Sequence, residues 1–125
     1  MSRALFIGRF QPFHKGHLSV IKDASEEVDQ VIICIGSADA PKTFKNPFSI
    51  EQRKEMIGRC LLDEGFDKKE FLIIESNDHE SHDDWKVEIL DRAPIFEWLY
   101  ADDYTHECFK EGYKFVPVND RIDDI

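Results

Sequence analysis

Short apolar runs bounded by turn residues alternate along the chain with stretches of helical periodicity, the pattern of repeated βα units on a parallel sheet. Ala4-Leu5-Phe6-Ile7 reads as a fully apolar strand ended by Gly8. Val31 to Ile35 reads as a second, whose five unbroken apolar residues require cover on both faces. Between them, His17 to Val28 places Leu18, Val20, Ile21, Ala24 and Val28 near helical spacing, with Lys22, Asp23, Glu26 and Glu27 largely on the other face. Gly36 to Pro47 is a polar loop of 12 residues, long for a βα connection, and long loops there usually serve function. Ser49 and Gln52 then form the capping box of a helix whose buried stripe is Ile50, Met56, Ile57, Leu61 and Leu62, ended by Gly65.

Phe71 to Ile74 predicts a third strand, followed by a polar stretch from Glu75 to Asp84. Trp85 to Ala93 reads as a short helix stopped at Pro94, and Phe96 to Ala101 as a fourth strand with Trp98 in the core. Tyr104 to Glu111, with Gly112 as C-cap, makes one more helix, and Lys114 to Val118 a fifth strand. With no internal repeat, this order predicts an α/β, Rossmann-like, doubly wound parallel five-stranded sheet with helices on both faces. Such sheets bind ligands beyond the carboxyl ends of their strands. The loops after Ile7, Ile35, Ile74 and Ala101 are therefore the expected site.

Composition narrows the class. A chain of 125 residues suits a single domain, 1–125, and can bury roughly two-thirds of its unfolded surface without disulfide or metal staples. Ten Phe, two Trp and three Tyr exclude a disordered chain. No apolar run nears the ~20 residues of a membrane span, and Met1-Ser2-Arg3 leads into a strand pattern instead of a signal peptide, so a soluble, cytoplasmic protein is expected. With 26 Asp+Glu against 16 Lys+Arg, the net charge of −10 argues against a nucleic-acid partner. Cys34, Cys60 and Cys108 form no CxxC and read as reduced thiols. Asp78-His79-Glu80-Ser81-His82-Asp83-Asp84 has ligand-like spacing, but no second Cys or His cluster supports it. A hydrated acidic loop without a metal site is expected.

Against this acidity, residues 1–22 carry Arg3, Arg9, Lys15 and Lys22 and no carboxylate. His14 and His17 lie in Gly8-Arg9-Phe10-Gln11-Pro12-Phe13-His14-Lys15-Gly16-His17, which leaves the first strand and opens the first helix. Backbone N–H groups and the helix dipole there favour an anion, and phosphate is the natural guest. Two histidines three apart lie on one side of a first turn, and both ring donors can reach one group of oxygens. Gly16 removes a Cβ where a phosphate would approach the backbone, Arg9 can grip it in a forked geometry, and Pro12 stiffens the loop. Neither GxGxxG nor GxxxxGK[ST] occurs, which argues against a dehydrogenase or a P-loop ATPase.

The stretch Gly8 to His17 resembles the (H/T)xGH nucleotidyltransferase superfamily, and specifically the GRFQPFHxGH form of the archaeal-type nicotinamide-nucleotide adenylyltransferases. Ile35-Gly36-Ser37-Ala38, Asn46-Pro47-Phe48 and Trp85 after an acidic loop resemble that family in the same order, so the likeness covers essentially the whole chain. It implies transfer of AMP from ATP to nicotinamide mononucleotide, giving NAD and pyrophosphate with a magnesium ion and no covalent enzyme intermediate. Carried over by position, it implies His17, His14 and Arg9 as catalytic groups at the phosphates. Gly8, Phe10, Gln11, Gly16, Lys45 and Asp102 would bind ATP, with Lys45 standing where relatives often have arginine. Gly36, Ser37, Asp78, His82 and Trp85 would bind the nicotinamide end, with the indole stacked on the ring. Relatives often assemble as homo-oligomers, and nothing in the sequence excludes that here.

Three departures accompany the likeness. The family's second signature, an ISxTxxR turn gripping the β and γ phosphates, would begin about where this chain reaches Arg121-Ile-Asp-Asp-Ile125, so a truncated enzyme or a reduced triphosphate grip is expected. Tyr100-Ala-Asp-Asp103 replaces a Ser-Gly-Asn turn beside the adenine. His82 stands where relatives tend to have an amide, which leaves nicotinamide and nicotinate both open as acceptors. Two further readings stay open: a related nucleotidyltransferase acting on another phosphorylated acceptor, such as pantetheine phosphate, flavin mononucleotide or glycerol phosphate, and a nucleotide-binding module without turnover.

Overall fold

In the computed structural model, residues 1–109 and 112–118 are described. The elements follow in strict alternation: β1 (Arg3–Gly8), α1 (Lys15–Glu27), β2 (Gln30–Ile35), α2 (Ile50–Asp63), β3 (Phe71–Glu75), α3 (His82–Arg92), β4 (Trp98–Ala101), α4 (Asp103–Phe109) and β5 (Lys114–Pro117). All strand pairings are parallel and the spatial order is β3-β2-β1-β4-β5, so the expected doubly wound five-stranded sheet is present. Chain order reverses between β1 and β4, and a crevice opens at such a reversal.

Alternation along the central strands assigns the two faces. Ala4 and Phe6 of β1, with Val31, Ile33 and Ile35 of β2, pack on Val20, Ile21 and Ala24 of α1 and on Ile57 and Leu61 of α2. Leu5, Ile7, Ile32, Cys34, Leu99 and Ala101 pack on Ile89 of α3 and Phe109 of α4. Both faces of β2 are closed, as its apolar run requires. Among the described residues, no helix is long and apolar enough to cross a membrane.

Local chemistry sets several boundaries differently from the periodicity. α1 starts at Lys15, two residues before His17, because His14 caps it. α3 starts at His82, three residues before Trp85, because the Ser81 side chain accepts the Asp84 N–H. β4 starts at Trp98, and Phe96 is buried just ahead of it. Trp98 itself is only half-buried against the core, with the Lys114 ammonium 5.0 Å from its ring centre. On α2 the Ser49–Gln52 capping box forms as expected, but Leu62 is 44% exposed and Met56 half-buried. The stripe is instead completed by Arg53, only 1% exposed. The end of the expected helix at Glu111 and the tail Asn119 to Ile125, with Arg121, lie outside the described residues.

Candidate active site

Parallel register brings the carboxyl ends of β1 and β2 level, with Gly8 beside Ile35 and Ile35 beside Glu75 of β3. Beyond them lies a cleft of about 500 Å³. Of the residues singled out in the sequence, Gly8, Arg9, Phe10, Gln11, His17, Gly36, Ser37, Asp78, His82, Trp85 and Asp102 line it together. His14 lines a separate groove between α1 and α2, Lys45 is exposed in the loop before α2, and Gly16 lines neither space.

Two left-handed residues shape the loops. Phe10 (φ 53°) and Ser37 (φ 51°) each sit two positions beyond the end of β1 or β2, a conformation uncommon without glycine. At Phe10 the turn drives the ring beneath the loop, where it is 1% exposed and packs edge-on against Phe6. Gly8 leaves room for that ring, since a Cβ there would meet it at 3.0 Å and oblige it to shift. At Ser37 the hydroxyl donates to Asp78 Oδ1 at 2.7 Å, joining the loops after β2 and β3, and the Asp78 N–H donates to Asp39 at 2.9 Å.

The two histidines form the cap of α1. The Gly16 N–H donates to His14 Nδ1 at 3.0 Å, and the His14 N–H donates to His17 Nδ1 at 3.0 Å. The sequence suggested helix-start amides facing an anion; here the amide of Gly16 is taken by an imidazole instead. With Nδ1 accepting, the proton of a neutral His17 ring is assigned to Nε2. His17 is 5% exposed and enclosed by aromatic rings, Phe10 at 4.7 Å, Phe13 stacked at 5.5 Å and His14 at 3.8 Å between centroids. Burial, and then the charge of His14, lowers its pKa to about 3. His17 is thus a neutral N–H donor at any physiological pH.

The side chains around it are tied in turn. Arg9 donates to Asn46 Oδ1 of the loop before α2, next to Lys45. Gln11 pairs with the backbone of Phe48, Nε2 on its carbonyl at 3.1 Å and Oε1 on its N–H at 3.0 Å. Asp102 caps the first turn of α4 by accepting the Thr105 N–H at 2.7 Å. Trp85 is half-buried and edge-on to Phe109 at 5.7 Å. The Tyr104 hydroxyl is hydrogen-bonded to His82 Nε2 across the mouth of the cleft.

Two participants escaped the sequence. Tyr104 read only as the start of a helix, and nothing local marked it as the partner of His82. Arg53 carried a signal: it occupies an interior position of the stripe Ile50, Arg53, Ile57, Leu61, where a cation is out of place unless something inside receives it.

Comparison with known proteins bears on this geometry. The family model described as cytidylyltransferase-like matches residues 5–121. The nicotinamide-nucleotide adenylyltransferase of Pyrococcus horikoshii is 42% identical over 93% of this chain and 63% of its own length. That of Saccharolobus solfataricus is 43% identical over 91% of this chain and 67% of its own length. A bifunctional NMN adenylyltransferase/ADP ribose pyrophosphatase from Francisella tularensis, crystallised with AMP and a Mn ion, superposes with a TM-score of 0.79 and 34% identity. That match covers 93% of this chain and 36% of the other. The chain therefore spans just under two thirds of the P. horikoshii relative and about a third of the F. tularensis one. It belongs to the cytidylyltransferase-like family.

Proposed function

We propose that this member of the cytidylyltransferase-like family transfers the adenylyl group of ATP to nicotinamide mononucleotide, giving NAD and pyrophosphate. The observation that carries the reading is His17, a neutral imidazole in the cleft lining whose Nδ1 is taken by backbone and whose remaining donor is Nε2–H. The names of the relatives at 42% and 43% identity support the choice of acceptor.

In the proposed reaction a 5′-phosphate oxygen of the acceptor attacks the α-phosphorus of ATP. The new P–O–P bond forms as the bond from the α-phosphorus to the β-bridging oxygen breaks, and pyrophosphate leaves with that oxygen and its electron pair. No covalent enzyme intermediate is needed, so the residues contribute positioning and charge stabilisation. His17 Nε2–H donates to an α-phosphate oxygen as charge develops there, with His14 holding the start of α1. Arg9, with Lys45 near it in the chain fold, binds the phosphates, and Gly8, Phe10, Gln11 and Gly16 shape the loop that receives them. Asp102 lies on the adenine side. Gly36, Ser37, Asp78 and His82 border the nicotinamide, and Trp85 offers a broad π-face to that electron-poor ring. The residues act as one site on residues 1–125.

Magnesium carried with ATP suits these donors. Mg²⁺ is commonly held by one or two carboxylates together with substrate phosphates, and Asp78, Glu80 and Asp102 offer carboxylates in the lining. Among the described residues, no three His, Cys, Asp or Glu side chains converge to form a separate metal site. When bound, the ion would neutralise charge on the triphosphate.

The test is NAD formation from ATP, magnesium and nicotinamide mononucleotide, with nicotinate mononucleotide, pantetheine phosphate and flavin mononucleotide as competing acceptors. NAD as the fastest product, lost in His17→Ala, is expected. Pyrophosphate release with another acceptor alone, or with none, overturns the assignment.

A further inference from the structure

Arg53 is 1% exposed, and all its hydrogen bonds go to backbone carbonyls. Nη1 donates to Arg9 O at 3.0 Å and to Gly36 O at 2.8 Å, Nη2 to Ser37 O at 3.1 Å, and Nε to Ser49 O at 3.3 Å. Among the described residues, no carboxylate lies within ion-pairing distance. A buried cation normally has a bonded counter-ion; this one has none and feels only the longer-range attraction of Glu75, Asp78 and Glu51, directly behind the loops of the cleft. The bonds also set direction. A trans peptide is planar, so when the carbonyls of Arg9 and Gly36 face Arg53, the N–H groups of Phe10 and Ser37 face the opposite way. Phe10 and Ser37 both line the cleft.

We propose that Arg53 is a positioning residue for the phosphate site: its guanidinium locks the loops after β1 and β2 with their amides turned to the cleft, and the missing counter-ion is supplied by substrate phosphate. The inference rests on the reading of the cleft as a nucleotidyl-transfer site, but not on the identity of the acceptor.

Inorganic pyrophosphate with magnesium, a product of any such transfer, is titrated calorimetrically into the wild type, Arg53→Lys and Arg53→Met, with folding checked by circular dichroism. Arg53→Met is expected to bind at least tenfold more weakly, and an affinity within twofold of the wild type overturns the proposal. Arg53→Lys keeps the charge but has its donors on one nitrogen, so it cannot reproduce the planar fork that spreads Nε, Nη1 and Nη2 over the carbonyls of Ser49, Arg9, Gly36 and Ser37. It is expected to bind pyrophosphate within about threefold of the wild type while kcat falls about tenfold with KM for ATP little changed. If Arg53→Met does not fold, Arg53→Lys decides alone: wild-type kcat overturns the locking of the loops, and a tenfold or greater loss of pyrophosphate affinity overturns the charge argument. Normal pyrophosphate binding by a wild type that forms no NAD counts against the proposed activity and not against Arg53.

Discussion

His17 Nδ1 accepts the backbone N–H of His14 at 3.0 Å while the two rings lie 3.8 Å apart, so the residue that begins the helix and the residue proposed to touch substrate orient each other. Removing His17 therefore removes a donor and one cap bond together. His17→Ala is expected to lower kcat by about 10²–10³-fold, the scale of one lost oxyanion donor, with the fold retained. Steady-state kinetics beside circular dichroism checks it, and a folded variant within threefold of wild-type kcat refutes the role.

The lowered pKa of His17 also has a thermodynamic signature. Between about pH 6.5 and pH 3 the unfolded chain holds a proton that the folded protein does not, so stability rises with pH in that window. The expected loss on acidification is up to about 1.4 kcal/mol per pH unit from this group. Urea denaturation of the wild type and His17→Asn between pH 4 and 7 isolates it, since their difference in stability should shrink as pH falls. A difference independent of pH would mean that His17 titrates normally.

Ser37 combines a left-handed backbone with a 2.7 Å bond to Asp78. Ser37→Gly relieves about 1 kcal/mol of backbone strain and loses a hydrogen bond of similar size, so Tm should move by only a few degrees. Freed from Ser37, Asp78 should hold the acceptor less well, raising its KM several-fold with KM for ATP unchanged. Ser37→Val, β-branched at positive φ, should instead unfold at markedly lower temperature in a thermal melt.

Trp85 divides its surface between Phe109 and the cleft. Stacking on a base or similar ring contributes about 1–3 kcal/mol, so Trp85→Ala should raise KM for nicotinamide mononucleotide about tenfold or more while sparing ATP. Trp85→Phe, which keeps a ring against Phe109, should recover part of that loss. Equal effects on both substrates would assign Trp85 to packing alone.

What the sequence determined by itself is whatever depends on neighbours along the chain. The apolar run Val31 to Ile35 demanded a strand closed on both faces, Ser49 with Gln52 demanded a helix start, and the stretch Gly8 to His17 marked the turn from the first strand into the first helix. Each rests on contacts within a few residues or on a burial pattern with period two. The tertiary structure alone decided which polar groups the interior would accept. Arg53 breaks its helix's apolar stripe because the carbonyls that receive it come from Arg9, Gly36 and Ser37, residues 44, 17 and 16 positions away. Leu62, apolar and adjacent to buried Leu61, faces water because one residue turns an α-helix by about 100°. His82 meets Tyr104 only because α3 and α4 cover the same sheet face. A hydrogen bond between distant loops exists only after the sheet has aligned its strand ends, and one-dimensional periodicity carries no record of that alignment.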